Sequence, residues 1–228
     1  MGRGYADFIS GKEGLREIQM QDLIMIGSGG CMKELLYQIE NLNKEIPTWR
    51  VLGYVDKAPG NVTDCAYLGD DDWLLQYEKP AAVCISVQEP GLRKKLAELY
   101  HKNINLTFPV ISMGKTEIAD SVKVGEGTIF CEHVKVTNDG KIGAFGFFNI
   151  GVQVHHEAKI GDSVSMAPNS TLAGNVTIQE EAYLGMGSIV IQGKTVGREA
   201  VIGAGAVVTE DIPQKVIAAG VPAKVIKR

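Results

Sequence analysis

The stretch FNIGVQVHHEAKIG, Phe148 to Gly161, sets two adjacent histidines and a glutamate inside a run of small and aliphatic residues. Counting by sixes from Ile118 shows what that run builds. The steps fall on Val124, Phe130, Val136, Ile142, Phe148, Val154, Ile160, Met166, Leu172, Ile178, Leu184, Val190, Val196, Ile202 and Val208, every one large and apolar. Sixteen hexads follow one another with no residue inserted or skipped. A period of six fits neither the 3.6 of an α-helix nor a hairpin array. It fits a parallel β-helix with three flat walls, one hexad per wall and eighteen residues per coil, the coils stacked at the usual strand spacing of about 4.8 Å. In each hexad the anchor points inward, and the residue four positions later (Val122, Val134, Ala158, Val164, Val176, Ala182, Ala206) fills the space beside it. Glycine often follows the anchor, as at Gly125, Gly143, Gly161, Gly185, Gly197 and Gly203. These glycines are expected to permit the unusual dihedrals of the corners.

The first half obeys another rule. DLIMIG from Asp22, RVLGYVD from Arg50 and AAVCISV from Ala81 read as strands, and Asn105 to Phe108 as a last short one. Met32 to Leu42 and Gly91 to about Lys102 read as helices between them. Strands alternating with helices predict a small parallel α/β sheet. The expected organisation is an N-terminal extension over residues 1–19, a Rossmann-like α/β domain over 20–111, and a β-helix domain with its C-terminal tail over 112–228.

Composition narrows the partners. A net charge of -4 gives no basic surface for nucleic acid. No apolar run approaches the ~18 residues that a membrane span needs. The opening residues lack the apolar core of a signal peptide. Cys31, Cys65, Cys84 and Cys131 form no paired spacing and read as reduced thiols of a cytoplasmic protein.

Two motifs carry chemistry. GSGGCMKE places Gly27, Ser28, Gly29 and Gly30 between a strand and a helix, a setting in which backbone N–H groups can cradle phosphate or simply make a tight turn. Asp56 and Lys57 end the second strand, where an acidic residue can bond ribose or a sugar hydroxyl. In the second half, Gly174 lies eighteen residues after His156 and should sit one coil above it.

The hexads, together with the closing GVPAKVIKR from Gly220, resemble the hexapeptide-repeat acyltransferases, which fold as left-handed β-helices and assemble as trimers. With the α/β half in front, the chain resembles the bacterial sugar acetyltransferases of that family. These include the UDP-4-amino-sugar and GDP-perosamine N-acetyltransferases and the sialic-acid O-acetyltransferases. The resemblance implies acetyl-CoA as co-substrate, a nucleotide-linked amino sugar as acceptor, a homotrimer and a place in bacterial glycan biosynthesis. It assigns His156 as general base with Glu157 beside it, and Gly174 as the backbone donor facing the thioester oxygen. Asn149, seven residues before the base, would help hold the amine. Coenzyme A contacts would fall near Ser165, Met186 and Ala204. Two departures bear on the nucleotide. Cys31 and Met32 stand where the family's loop G-x-[GS]-G-H-[GA] carries histidine, and Gln88 stands where it often has glycine.

The residues themselves leave some choices open. His155 is a substrate contact, a helper to His156 or simply an exposed strand residue. The acceptor is an amine or, on the same base, a sugar hydroxyl. A non-catalytic trimerisation module is the third reading and gives His156 no role. A zinc site is not expected, because His155 and His156 are adjacent and His133 lies more than one coil away.

Overall fold

A computed structural model describes residues 20–227; residues 1–19, read above as an extension, lie outside the described residues. The first half is a five-stranded parallel sheet of β1 (Gln21–Ile26), β2 (Trp49–Val55), β3 (Tyr67–Gly69), β4 (Ala81–Ile85) and β5 (Leu106–Thr107). Its order is β3-β2-β1-β4-β5. The two central strands are apolar runs, Leu23 to Ile26 and Ala81 to Ile85, as burial on both faces requires. Three helices cover the sheet: α1 (Gly30–Glu45), α2 (Asp71–Leu75) and α3 (Pro90–Tyr100). The short β3 and α2 were not expected, since three and five residues are too few to show a period.

The second half is a left-handed parallel β-helix. Its three walls hold eight, six and five strands; they are named first, second and third here in the order the chain enters them, at Ile111–Ser112, Glu117–Ile118 and Lys123–Val124. Strands eighteen residues apart pair in register, as in Phe147↔Ser165, Val154↔Leu172 and Ile160↔Ile178. The hexad anchors from Phe130 to Val208 are buried and form one continuous core. The final coil is two residues short, so that Val201 pairs with Ile217, and the antiparallel strand Lys224–Lys227 closes the first wall.

The corners correct the expected role of glycine. Left-handed backbone falls on the third residue after most anchors, at His133, Asp139, Phe145, Glu157, Ser163, Asn169, Asn175, Glu181 and Glu199, at several glycines in phase with them, and in the same phase at Lys115 in the entering coil. Most of these positions carry side chains and accept the modest cost of that conformation. The glycine directly after the anchor serves close stacking instead. A methyl group on Gly161 would lie 2.6 Å from the Glu180 amide nitrogen of the next coil, and Gly185 is crowded in the same way by Ala204. We therefore expect Gly161→Ala to destabilise by about 1–3 kcal/mol through overpacking. Lys115→Gly, which relieves a left-handed residue, should change stability by less than about 1 kcal/mol in urea unfolding.

One side chain ties the halves together. Arg93 on α3 is fully buried and gives all five of its N–H donors to carbonyl oxygens. Nε donates to Phe145 at 2.7 Å, Nη1 to Val87 at 2.8 Å and Gln88 at 3.1 Å, and Nη2 to Ser163 at 2.9 Å and Val164 at 3.0 Å. Burial pushes its pKa down to about 9, which leaves it charged at neutral pH. Around it, α1 and the outer face of the first wall share a core of Met32, Leu35, Ile129, Cys131 and Phe147. The Gln38 side-chain oxygen accepts the Glu132 amide at 2.8 Å. Removing the Arg93 cation would leave the carbonyl oxygens of Val87, Phe145 and Ser163 unpaired, while Gln88 O keeps the Ser165 hydroxyl and Val164 O the Phe147 amide. Arg93→Ala is expected to cost about 3–5 kcal/mol, read as the loss of a single cooperative urea transition shared by both halves.

Candidate active site

His156 and Glu157 sit at the corner between the second and third walls. Because Glu157 holds the left-handed conformation at φ 60°, the chain turns sharply there and the two neighbouring side chains meet. His156 Nδ1 lies 3.1 Å from Glu157 Oε2, with both side chains about half exposed. This arrangement leaves Nε2 free. Gly174 stacks directly over the imidazole, since a methyl group built on it would overlap the ring. The coils are locked in this register by the Asn175 amide, which donates to His156 O at 2.8 Å. The Gly174 N–H makes no hydrogen bond among the described residues. His155 continues the wall, its amide donating to Leu172 O at 3.0 Å and its side chain exposed.

The other expected contacts lie elsewhere. Asn149 occupies the corner between the first and second walls, buried, with Oδ1 accepting the Ile150 amide at 2.7 Å. A whole wall separates it from His156 in the same chain. Met186 and Ala204 stack on adjacent coils of the Asn149 corner and are exposed; the Gly205 amide donates to Met186 O at 2.8 Å. Ser165 is buried, and its hydroxyl donates to Gln88 O at 2.5 Å. Its side chain thus belongs to the contact between the halves rather than to an open groove. A cleft of about 770 Å³ runs between α3 and the third wall and includes neither His156 nor Gly174.

Of the residues expected around the glycine loop, five come together, whereas Gly30 and Gln88 do not line the same pocket. Gly27, Ser28, Gly29, Asp56 and Lys57 line a pocket of about 320 Å³ at the carboxyl ends of β1, β2 and β4. This is where the strand order reverses and where open parallel sheets bind ligands. The Ser28 hydroxyl donates to Asp56 Oδ2 at 2.6 Å. Gly27 needs to be glycine for its φ of 101°, whereas a Cβ on Gly29 or Gly30 would meet nothing within 4 Å. Those two glycines open space instead of filling a turn. Asp71, Ser86 and Tyr100 also line the pocket and were not expected from the sequence. The only signal for Tyr100 was its place on the apolar face of α3, with Ala97 and, oddly for a cation, Arg93.

No thiol is poised for covalent chemistry. Burial raises Cys31 to about 12 and pushes Cys84 and Cys131 well above the ordinary thiol range. Among the described residues no group of three His, Cys, Asp or Glu side chains is arranged to hold a metal ion, and no helix is long and apolar enough to cross a membrane.

No family model matches the chain. A GDP-perosamine N-acetyltransferase of Escherichia coli O157:H7 is 36% identical over 111 residues, 48% of this chain and 49% of that protein, so the match spans about half the length of the curated relative. Among solved structures, PerB from Caulobacter crescentus, in complex with CoA and GDP-perosamine, superposes with a TM-score of 0.82 at 30% identity. The match covers 91% of this chain and 98% of that one. The acetyltransferase domain of PglB from Neisseria gonorrhoeae gives a TM-score of 0.82 at 26% identity, covering 90% of this chain and 100% of that one. With the hexad prism, the α/β half in front of it and this near full-length similarity, the chain belongs to the hexapeptide-repeat β-solenoid acetyltransferases.

Proposed function

We propose that the protein transfers an acetyl group from acetyl-CoA to the amino group of a nucleotide-linked amino sugar. The observation that carries this reading is the pair formed by His156 and Gly174: an imidazole fixed by a carboxylate, with a free backbone N–H one coil above it. The amine attacks the thioester carbonyl, forming the C–N bond. His156 Nε2 takes the amine proton, and Glu157 stabilises the resulting imidazolium. The Gly174 N–H donates to the carbonyl oxygen as it gains negative charge. Collapse breaks the C–S bond, and the proton on Nε2 passes to the departing thiolate. Transfer is direct, consistent with thiols held protonated by burial. Relatives solved with CoA and GDP-perosamine, or with acetyl coenzyme A, support the choice of both substrates.

The acceptor's nucleotide fits the loop pocket, with phosphates on the open N–H groups near Gly29 and the ribose on Asp56. That pocket belongs to a half packed on the first wall, while His156 stands at the one corner the first wall does not form. A second copy therefore has to complete the site. In a closed trimer the corner bearing Asn149, Met186 and Ala204 of one chain meets the His156 corner of the next. The exposed Ile189 and Ile191 on the second wall suit that wall to the threefold axis.

The test is release of free coenzyme A from acetyl-CoA with a panel of nucleotide amino sugars. His156→Ala should lower kcat by about 10²–10⁴-fold with the oligomer intact. Gly174→Ala, which displaces the ring, should lower it by about 10²-fold or more with little change in melting temperature. Release that survives His156→Ala overturns the assignment. Turnover with a sugar hydroxyl, and none with any amine, would favour O-acetylation.

A further inference from the structure

The proposed acyl transfer makes no use of the cleft between α3 and the third wall. Lys141 and Lys159 line its wall side. They hold the same place on consecutive coils and pair in register, and Lys123 holds that place one coil earlier. Three lysines thus stack on the outer face of the wall at the strand spacing of about 4.8 Å. All three are exposed, and among the described residues no carboxylate pairs with any of them. Like charges directly opposite one another destabilise a sheet. The second wall fills the same place differently: there Lys135 lies in register with Glu117, Nζ to Oε2 at 2.9 Å. The other charges around the cleft are engaged. Lys94 of α3 pairs with Glu181 at 2.5 Å, Arg198 with Glu180, and His101 with Glu126. Asp162 Oδ1 accepts the Ala144 amide at 2.8 Å. Glu98, exposed on α3, is the one lining carboxylate without a bonding partner among the described residues. Thr177 adds a hydroxyl on the coil after Lys159, so the wall side of the cleft is a row of hydrogen-bond donors.

We propose that this cleft is a further ligand site, separate from the two substrate sites, and that it takes a phosphate-bearing ligand held by Lys141 and Lys159. Lysine binds phosphate as a point charge. Two lysines one strand spacing apart can be bridged by one phosphate or by the adjacent phosphates of a diphosphate. The bound anion also removes the repulsion that the ladder otherwise carries. The cleft shares no lining residue with the loop pocket, yet α3 borders both. Leu92, Leu96 and Tyr100 face the loop pocket, whereas Lys94, Ala97 and Glu98 face the cleft. A ligand held here therefore lies against the back of the helix that lines the loop pocket.

Isothermal titration of inorganic pyrophosphate into the whole protein and into the double variant Lys141→Gln, Lys159→Gln tests this. Wild type should bind pyrophosphate, and the variant should bind it about tenfold or more weakly. Without the anion the variant should melt no lower than wild type at low salt, because the repulsion is gone. Pyrophosphate should raise the melting temperature of wild type more than that of the variant. Coenzyme A, GDP and UDP should each bind the two proteins alike. No binding of pyrophosphate by wild type, or equal binding by both proteins, overturns the site. A variant that melts well below wild type makes the ladder structural, and one that loses affinity for coenzyme A or either nucleotide assigns the lysines to a substrate; either result overturns the proposal. None of these readouts requires turnover, so failure of the acetyl-transfer reading leaves the test intact.

Discussion

Everything in the second half follows from one steric demand: each coil has to turn three corners and land on the coil below at strand spacing. The chain meets it with a left-handed residue in most hexads and with glycine where backbones approach most closely. The same demand shapes the candidate chemistry. Glu157 is the left-handed residue of its corner, and that is why it folds back onto His156 instead of pointing to the opposite face, as neighbours on a strand do. Gly174 is small for the imidazole beneath it. Scaffold geometry and site geometry are thus the same set of dihedrals.

Arg93 does for the two halves what stacking does for the coils. A guanidinium with five carbonyl acceptors and no carboxylate against it is oriented by geometry alone, since moving either half by an ångström would break several bonds together. Its acceptors come from the loop after β4 on one side and from the corner between the third and first walls on the other. The loop pocket is therefore held in a fixed relation to the prism of its own chain and, through the proposed trimer, to the base of the next. The Ser165 hydroxyl on Gln88 reinforces the seam.

The sequence exposed the features that repeat and concealed those that are made by a single contact. Sixteen hexads in phase left little choice of fold for the second half, and the offset of eighteen placed Gly174 over His156 correctly. Gly27 to Gly29 and Asp56, distant in the chain, converge because parallel strands deliver their carboxyl ends to one edge. Arg93, and Asp71 with Tyr100, were not legible, because their partners lie dozens of residues away and no local period marks them. The glycines after the anchors were seen but misinterpreted: frequency along the chain pointed to dihedrals, and only the neighbouring coil shows that they are there for contact. The resemblance put a coenzyme A contact near Ser165, but the α/β half covers that stretch of wall.

The eighteen-residue register has a bearing on how such a chain can change length. Inserting or deleting one residue in the prism rotates every later side chain out of phase, moving anchors to the surface and corners into walls. Gain or loss of a whole coil preserves the phase, lengthening or shortening the column without disturbing what lies above or below. Only the step that joins His156 to Gly174 resists even this, because its two partners must remain on consecutive coils. Lineages of such proteins can therefore drift in height by duplicated coils at either end while one storey in the middle stays fixed.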